Sequence, residues 1–153
     1  MTDTETKKRP LPPIYLLGWL VAMAALRILL PGPRILAPPY EAWGALPIIV
    51  GILMVLYCAS CFRARGTTIK PFQESEALIT NHLYAFTRNP IYLGMTLIGI
   101  GAAIMMAHLT PFFLLPAFPL IINRRFIPAE EAMLEARFGA AWHQYRQRVR
   151  RWL

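Results

Sequence analysis

The chain has 153 residues, 56% of them hydrophobic and 16% charged, with a formal net charge of +8. That length holds one domain, and the apolar share, with a mean hydropathy of +0.42, is higher than that of an ordinary water-soluble domain. A basic soluble domain would raise nucleic acid as a partner, but here the basic residues flank long apolar runs, which turns the reading from nucleic acid to a membrane.

The polar N-terminal segment carries Lys7-Lys8-Arg9-Pro10 and leads into an apolar run from Ile14 to Leu30. A basic segment before an apolar stretch can open a signal peptide. This run is longer than a usual signal core, and Pro31-Gly32-Pro33-Arg34 after it has no small-x-small cleavage pattern, so an uncleaved first membrane helix is expected. Further apolar runs cover Ala45 to Phe62, Ile91 to Ala107 after Pro90, and Leu109 to Ile122. Each is near the short limit for a helix spanning the bilayer core, which takes roughly 17 to 25 residues. Pro111, Pro116 and Pro119 fall in the fourth run, which predicts a kinked helix in a tight hairpin with the third, turning at His108-Leu109-Thr110-Pro111. Proline is tolerated in membrane helices where neighbours satisfy the freed carbonyls.

The expectation is an all-α polytopic membrane protein: one domain over 1–153, four transmembrane helices and a C-terminal amphipathic helix. Basic residues favour the cytoplasmic side. With the N-terminus inside, that side receives Lys7, Lys8, Arg9, Arg63, Arg65, Lys70, Arg88 and everything from Arg124 onward, while Arg34 faces out and Arg27 snorkels toward it. Both termini are therefore expected in the cytoplasm, and the protein is read as one of a bacterial inner membrane.

After Pro128 the residues Leu134, Phe138, Trp142, Tyr145, Val149 and Trp152 recur at steps of three or four, one apolar stripe of a single tail helix. Glu130 and Glu131 in its first turn and the arginines Arg146, Arg148, Arg150 and Arg151 at its end suit the helix dipole. Such a helix can lie on the membrane surface with its arginines among anionic headgroups. Cys58 and Cys61 are spaced C-x-x-C but lack a second ligand pair or a redox context, so they read as buried small residues. His82, His108 and His143 share no metal-ligand spacing, and no metal site is expected. Gly94, Gly99 and Gly101 thin the third helix, as close helix packing requires.

Two stretches are chemically dense. Tyr84 precedes Arg88-Asn89-Pro90-Ile91-Tyr92-Leu93-Gly94, and Glu130-Glu131 precedes Phe138-Gly139-Ala140-Ala141-Trp142-His143-Gln144-Tyr145, with Val149 beyond. A hairpin of the third and fourth helices brings both to one membrane face. These residues resemble the isoprenylcysteine carboxyl methyltransferase and phospholipid methyltransferase superfamily of integral membrane enzymes. That superfamily shows a tyrosine, R-[HN]-P-x-Y-x-G entering a helix, a Glu-Glu pair, then F-G-x-x-[YW]-x-x-Y-x-x-x-V.

The resemblance covers about half the chain and implies an S-adenosylmethionine-dependent methyltransferase whose cofactor-binding part runs over approximately 76–153. It implies a cofactor pocket lined by Glu76, Ala77, Leu78, Ile79, Tyr84, Asn89, Pro90, Ile91, Tyr92, Glu130 and Glu131. Glu130 would receive the cofactor's α-ammonium in a charge-assisted hydrogen bond, with Glu131 as neighbour or support. The glutamates equally suit a helix cap, and Leu78, Ile79 and Tyr84 equally suit core packing. Arg88 suits a ligand carboxylate or a lipid phosphate.

Two positions depart from the pattern. Asn89 replaces the commoner histidine, which removes a titration near neutral pH. Phe126 stands where the carboxyl methyltransferases place an arginine near the substrate carboxylate, so Arg125 or Arg124 would have to take that part. The acceptor implied is amphiphilic and lipid-like, with a carboxylate such as isoprenylcysteine favoured because no general base is evident. Two other classes stay open: an NADPH-dependent enzyme like the membrane sterol reductases, which share a similar C-terminal pattern but are longer, and a non-catalytic scaffold with a degenerate pocket.

Overall fold

A computed structural model describes residues 11–64 and 78–153. Among these residues the chain is helical, with a single isolated bridge between Arg34 and His108 in place of any sheet. Helix α1 (Pro12–Leu29) and α2 (Ala45–Ala64) are joined by an extended segment and a 3-10 turn, Tyr40–Gly44. A second 3-10 turn, His82–Ala85, precedes α3 (Pro90–Met106). Then come α4 (Leu109–Phe112), α5 (Ala117–Arg125), α6 (Ile127–Phe138) and α7 (Ala140–Arg148). Proline stands in the first turn of α1, α3 and α6, where its missing amide costs nothing and its fixed φ suits the helix.

Three helical stretches are long and apolar enough to cross a membrane: Pro12–Leu29, Tyr40–Ala64 and Leu109–Phe138. In the last of these the apolar part closes at Arg124 and Arg125. Helix α3, at 17 residues, is apolar but shorter. The outer faces of α1 and α2 are oily: Ile14, Leu17, Val21 and Ile28, then Ile49, Ile52, Leu53 and Leu56, are all exposed. An apolar exterior of that extent marks a contact with lipid.

Helix α2, with the 3-10 turn that leads into it, packs so closely on α3 that glycines touch across the seam. A Cβ on Gly44 would meet the carbonyl of Gly101, and one on Gly51 the carbonyl of Gly94. Each pair is seven residues from the next, two turns along the same face. Gly99 does a different job, since the ring of Trp19 from α1 fills the space where its side chain would be. That indole stacks on Phe118 at 5.1 Å and donates to Leu114 O at 2.6 Å. With Met23, Tyr92, Met95, Ile122, Phe126 and Ile127 it forms the main core.

Three sequence expectations are revised. The fourth apolar run is not one kinked helix but α4 and α5 separated by turns over 113–116, and Pro116 and Pro119 explain the break because neither offers an amide. The hairpin turn begins one residue earlier than expected, at Ala107, which adopts a left-handed conformation with φ +59°. Its carbonyl accepts the amide of Ile35 at 2.8 Å, and Leu109 N donates to Pro33 O at 3.1 Å, so the extended segment after α1 caps this end of the hairpin. The tail is two helices, because Gly139 at φ +48° ends α6. The expected stripe survives the break. Trp142, Tyr145 and Val149 form a second buried cluster with Leu78, Leu134 and Phe138, while Trp152 packs on the main core.

Candidate functional site

The starts of α3 and α6 meet at the end of the bundle where α2 finishes. Tyr92, in the first turn of α3, is buried, and its Oη donates to Glu130 Oε1 at 2.5 Å. Glu130 stands past Arg124 and Arg125, outside the apolar stretch. Burial there raises its carboxyl to about 7, against the lowering effect of the Tyr92 hydrogen bond, and the charge of Glu131 adds to the rise. Among the described residues no cation pairs with Glu130. A desolvated carboxylate held by one neutral phenol is a site for a cationic group.

The neighbouring Glu131 has the opposite character. Arg88 Nη1 lies 3.0 Å from its Oε1, while Arg151 grips both oxygens, Nε to Oε1 at 3.1 Å and Nη2 to Oε2 at 2.6 Å. The fork of an arginine matches a carboxylate in this two-point way. Glu131 is buried and its charge is compensated by two guanidinium groups. It ties elements together, and Glu130 is left to face the site.

Other expected site residues fall around this pair. Ile79 is buried and Leu78 half-buried against Trp142, Tyr145 and Val149. Tyr84 lies in the 3-10 turn with its ring edge-on to Phe62 at 6.0 Å, and its carbonyl accepts Tyr145 Oη at 2.7 Å. Burial pushes the Tyr84 phenol well above its ordinary range and the Tyr145 phenol up to about 12, so both stay protonated. Pro90 is buried at the head of α3, and Ile91 packs on the main core. The Asn89 amide is committed, since Nδ2 donates to Arg151 O at 2.8 Å. Arg125 is exposed at the end of α5 and is not drawn into the Glu130–Tyr92 cluster. Glu76 and Ala77 lie outside the described residues. Between α2 and the 3-10 turn, Val50, Leu53, Met54, Tyr57, His82 and Leu83 line an open, mostly apolar groove of about 490 Å³.

Some participants left no readable trace in the sequence. Arg151 looks like one more cation in a basic tail, and Asn123, which accepts from Arg151 Nη1 at 3.2 Å, like a polar residue near a helix end. The buried Thr87 donates to Arg151 O at 3.2 Å. Trp142 is buried, its Nε1 without a hydrogen-bond partner among the described residues, beneath the Arg88 guanidinium at 5.5 Å. The cysteines Cys58 and Cys61 are free, and no cluster of metal ligands forms among the described residues.

Comparison with known proteins gives this arrangement its family. The model of the phospholipid methyltransferase family matches residues 40–141, well over half of the chain and all of the Tyr84-to-Glu131 region. The chain belongs to the phospholipid methyltransferase family. Its apolar helices and that membership make it an integral membrane protein. It is 32% identical over 79 residues to the protein-S-isoprenylcysteine O-methyltransferase of Schizosaccharomyces pombe, a match covering 50% of this chain and 32% of that protein. This member of the family thus aligns with about a third of the fission-yeast enzyme's length. It is 35% identical over 63 residues to an uncharacterized protein of Haemophilus influenzae, covering 41% of this chain and 100% of that protein. No solved structure matches the chain significantly.

Proposed function

We propose that this phospholipid methyltransferase family member transfers a methyl group from S-adenosylmethionine to an amphiphilic acceptor at the cytoplasmic face of a membrane that it crosses four times. The observation that carries the proposal is the half-buried, desolvated Glu130 carboxylate, hydrogen-bonded by Tyr92 and unpaired with any cation among the described residues. The cofactor has an α-ammonium group of the charge and hydrogen-bonding character that such a carboxylate takes, and the apolar and aromatic residues Ile79 and Tyr84 suit an adenine ring. When bound, the cofactor would supply an electrophilic methyl on a sulfonium, for transfer to the acceptor oxygen with the neutral thioether as leaving group.

The chain's own part is to bind, align and exclude water, which is much of what such a displacement asks of an enzyme. Glu130 holds the ammonium end, Tyr92 orients Glu130, and the tail helices cover the cluster. A carboxylate acceptor needs no general base, so a prenylated cysteine is the favoured class, as in the name of the fission-yeast relative. The apolar groove beside the turn carrying Tyr84 suits an acceptor chain arriving from the bilayer. Helix α3 would be the fourth span: 17 residues reach about 26 Å at 1.5 Å per residue, close to a hydrocarbon core of about 30 Å. Arginines gather at the Glu130 end, which favours a cytoplasmic location for it and for both termini.

The test is methyl transfer in vesicles from isotopically labelled S-adenosylmethionine, with a prenylcysteine bearing a free carboxylate and with phosphatidylethanolamine as separate acceptors. Label in the prenylcysteine ester is the expected result. Label in the phospholipid alone would reassign the acceptor, and label in neither would count against the proposal.

A further inference from the structure

Within the basic tail one arginine turns inward. Among the described residues, Arg148 Nε bonds to its own helix, at Gln144 O, 3.3 Å away. Arg151 reaches three elements instead. Its guanidinium takes both oxygens of Glu131 in α6 and Oδ1 of Asn123 in α5. Its carbonyl accepts Asn89 Nδ2 at 2.8 Å and Thr87 Oγ1 at 3.2 Å, both just before α3. Beside it, Arg150 O accepts the amide of Arg88 at 2.9 Å. The family match ends at residue 141, so Arg151 lies beyond it while the residues that it grips lie within.

We propose that Arg151 is a positioning residue, latching the C-terminal arm onto the starts of α3 and α6 and so setting where Glu130 meets Tyr92. Asn89 is the residue from which α3 starts, with Tyr92 in its first turn, and Glu131 follows Glu130 in the first turn of α6. Both partners of the Tyr92–Glu130 bond therefore hang on neighbours that Arg151 holds. A planar fork clamped on both carboxylate oxygens fixes the direction of Glu131, and through the helix backbone that fixes the direction of Glu130. The consequence for ligand binding rests on the cofactor reading above; the consequence for local order does not.

The test uses the full chain in detergent micelles, with S-adenosylmethionine titrated by calorimetry and backbone amide exchange followed without it. Arg151→Gln is expected to weaken cofactor binding about tenfold, and Arg151→Lys by nearly as much because an ammonium keeps the charge but not the fork. Arg148→Gln should bind as the wild type does. Without cofactor, the amides of 91–93, 127 and 129–131 should exchange faster in Arg151→Gln while those of Ala45–Ala64 keep their protection. Wild-type affinity in folded Arg151→Gln, or an equal loss in Arg148→Gln, would overturn the latch. Should Arg151→Gln not accumulate, Asn123→Ala removes one anchor and is expected to give a smaller loss of the same kind; unchanged affinity and exchange in it would overturn the latch as well. If wild type binds no cofactor, it is the proposed function that fails. Exchange then decides the latch, with faster exchange at those two segments supporting it and unaltered exchange contradicting it.

Discussion

Tyr92 donates its phenol to Glu130 across 38 residues of chain, joining the first turn of α3 to the first turn of α6. That bond holds a carboxylate in place where burial opposes its charge. Replacing Tyr92 by phenylalanine keeps the ring packing and removes only the donor. A net hydrogen bond of about 1 kcal/mol corresponds to roughly a fivefold loss of S-adenosylmethionine affinity, read by calorimetry with the melting temperature as a check on folding. Wild-type affinity in Tyr92→Phe would assign the tyrosine to packing.

The raised Glu130 carboxyl gives two pH dependences of opposite sense. In the unfolded chain a glutamate carboxyl ionises at its ordinary 4.5, and burial raises it to about 7 in the folded chain. Between those values the unfolded state binds fewer protons, so the folded protein loses stability as pH rises through this window. Cofactor binding wants the ionised form and should strengthen as pH rises through about 7. Melting temperature without ligand and calorimetric affinity, each measured from pH 5 to 8, check both slopes. Glu130→Gln should flatten both.

Glu131 should behave differently from its neighbour. Glu131→Gln removes the anionic partner of Arg88 and Arg151, whose side chains are 10% and 33% exposed, and breaking a fully buried pair, the upper bound here, costs roughly 3–5 kcal/mol. A clear fall in ligand-free melting temperature is expected, larger than for Glu130→Gln. Equal melting temperatures for the two variants would contradict the division of labour between the glutamates.

The seam between α2 and α3 offers a test of the fold alone. Gly51→Leu places a side chain against the Gly94 carbonyl, whereas Gly18→Leu meets nothing within 4 Å. The first variant should melt markedly lower or fail to accumulate, and the second should match wild type. Equal melting would mean that the helices are not packed through their glycines.

Much of this was legible from residues. The first three apolar runs match α1, α2 and α3 to within a few positions, since hydrophobic length is a strong signal. The motif around Asn89 and Pro90 and the Glu-Glu pair pointed to one end of the bundle, and the structure brings those residues together there. What escaped was directional. The resemblance favoured Glu130 over Glu131, but the residues alone could not separate them, because adjacent glutamates differ only in which way the helix turns them. Nor could it lift Arg151 out of its basic tail, because a lipid-facing arginine and a buried clamp are the same letter. The tail break at Gly139 was readable in principle, since a glycine ending an amphipathic pattern is a stop signal. The persistence of the stripe across it hid the break.

The most direct measurement is calorimetric titration of S-adenosylmethionine into the purified wild type and Glu130→Gln, with ligand-free melting recorded for both. The expected result is saturable binding by wild type, a loss of at least about tenfold in the variant, equivalent to 1.4 kcal/mol, and a ligand-free melting temperature that does not fall. No binding by wild type, or equal affinity in a Glu130→Gln protein that melts lower, would contradict the assignment of Glu130 to the cofactor.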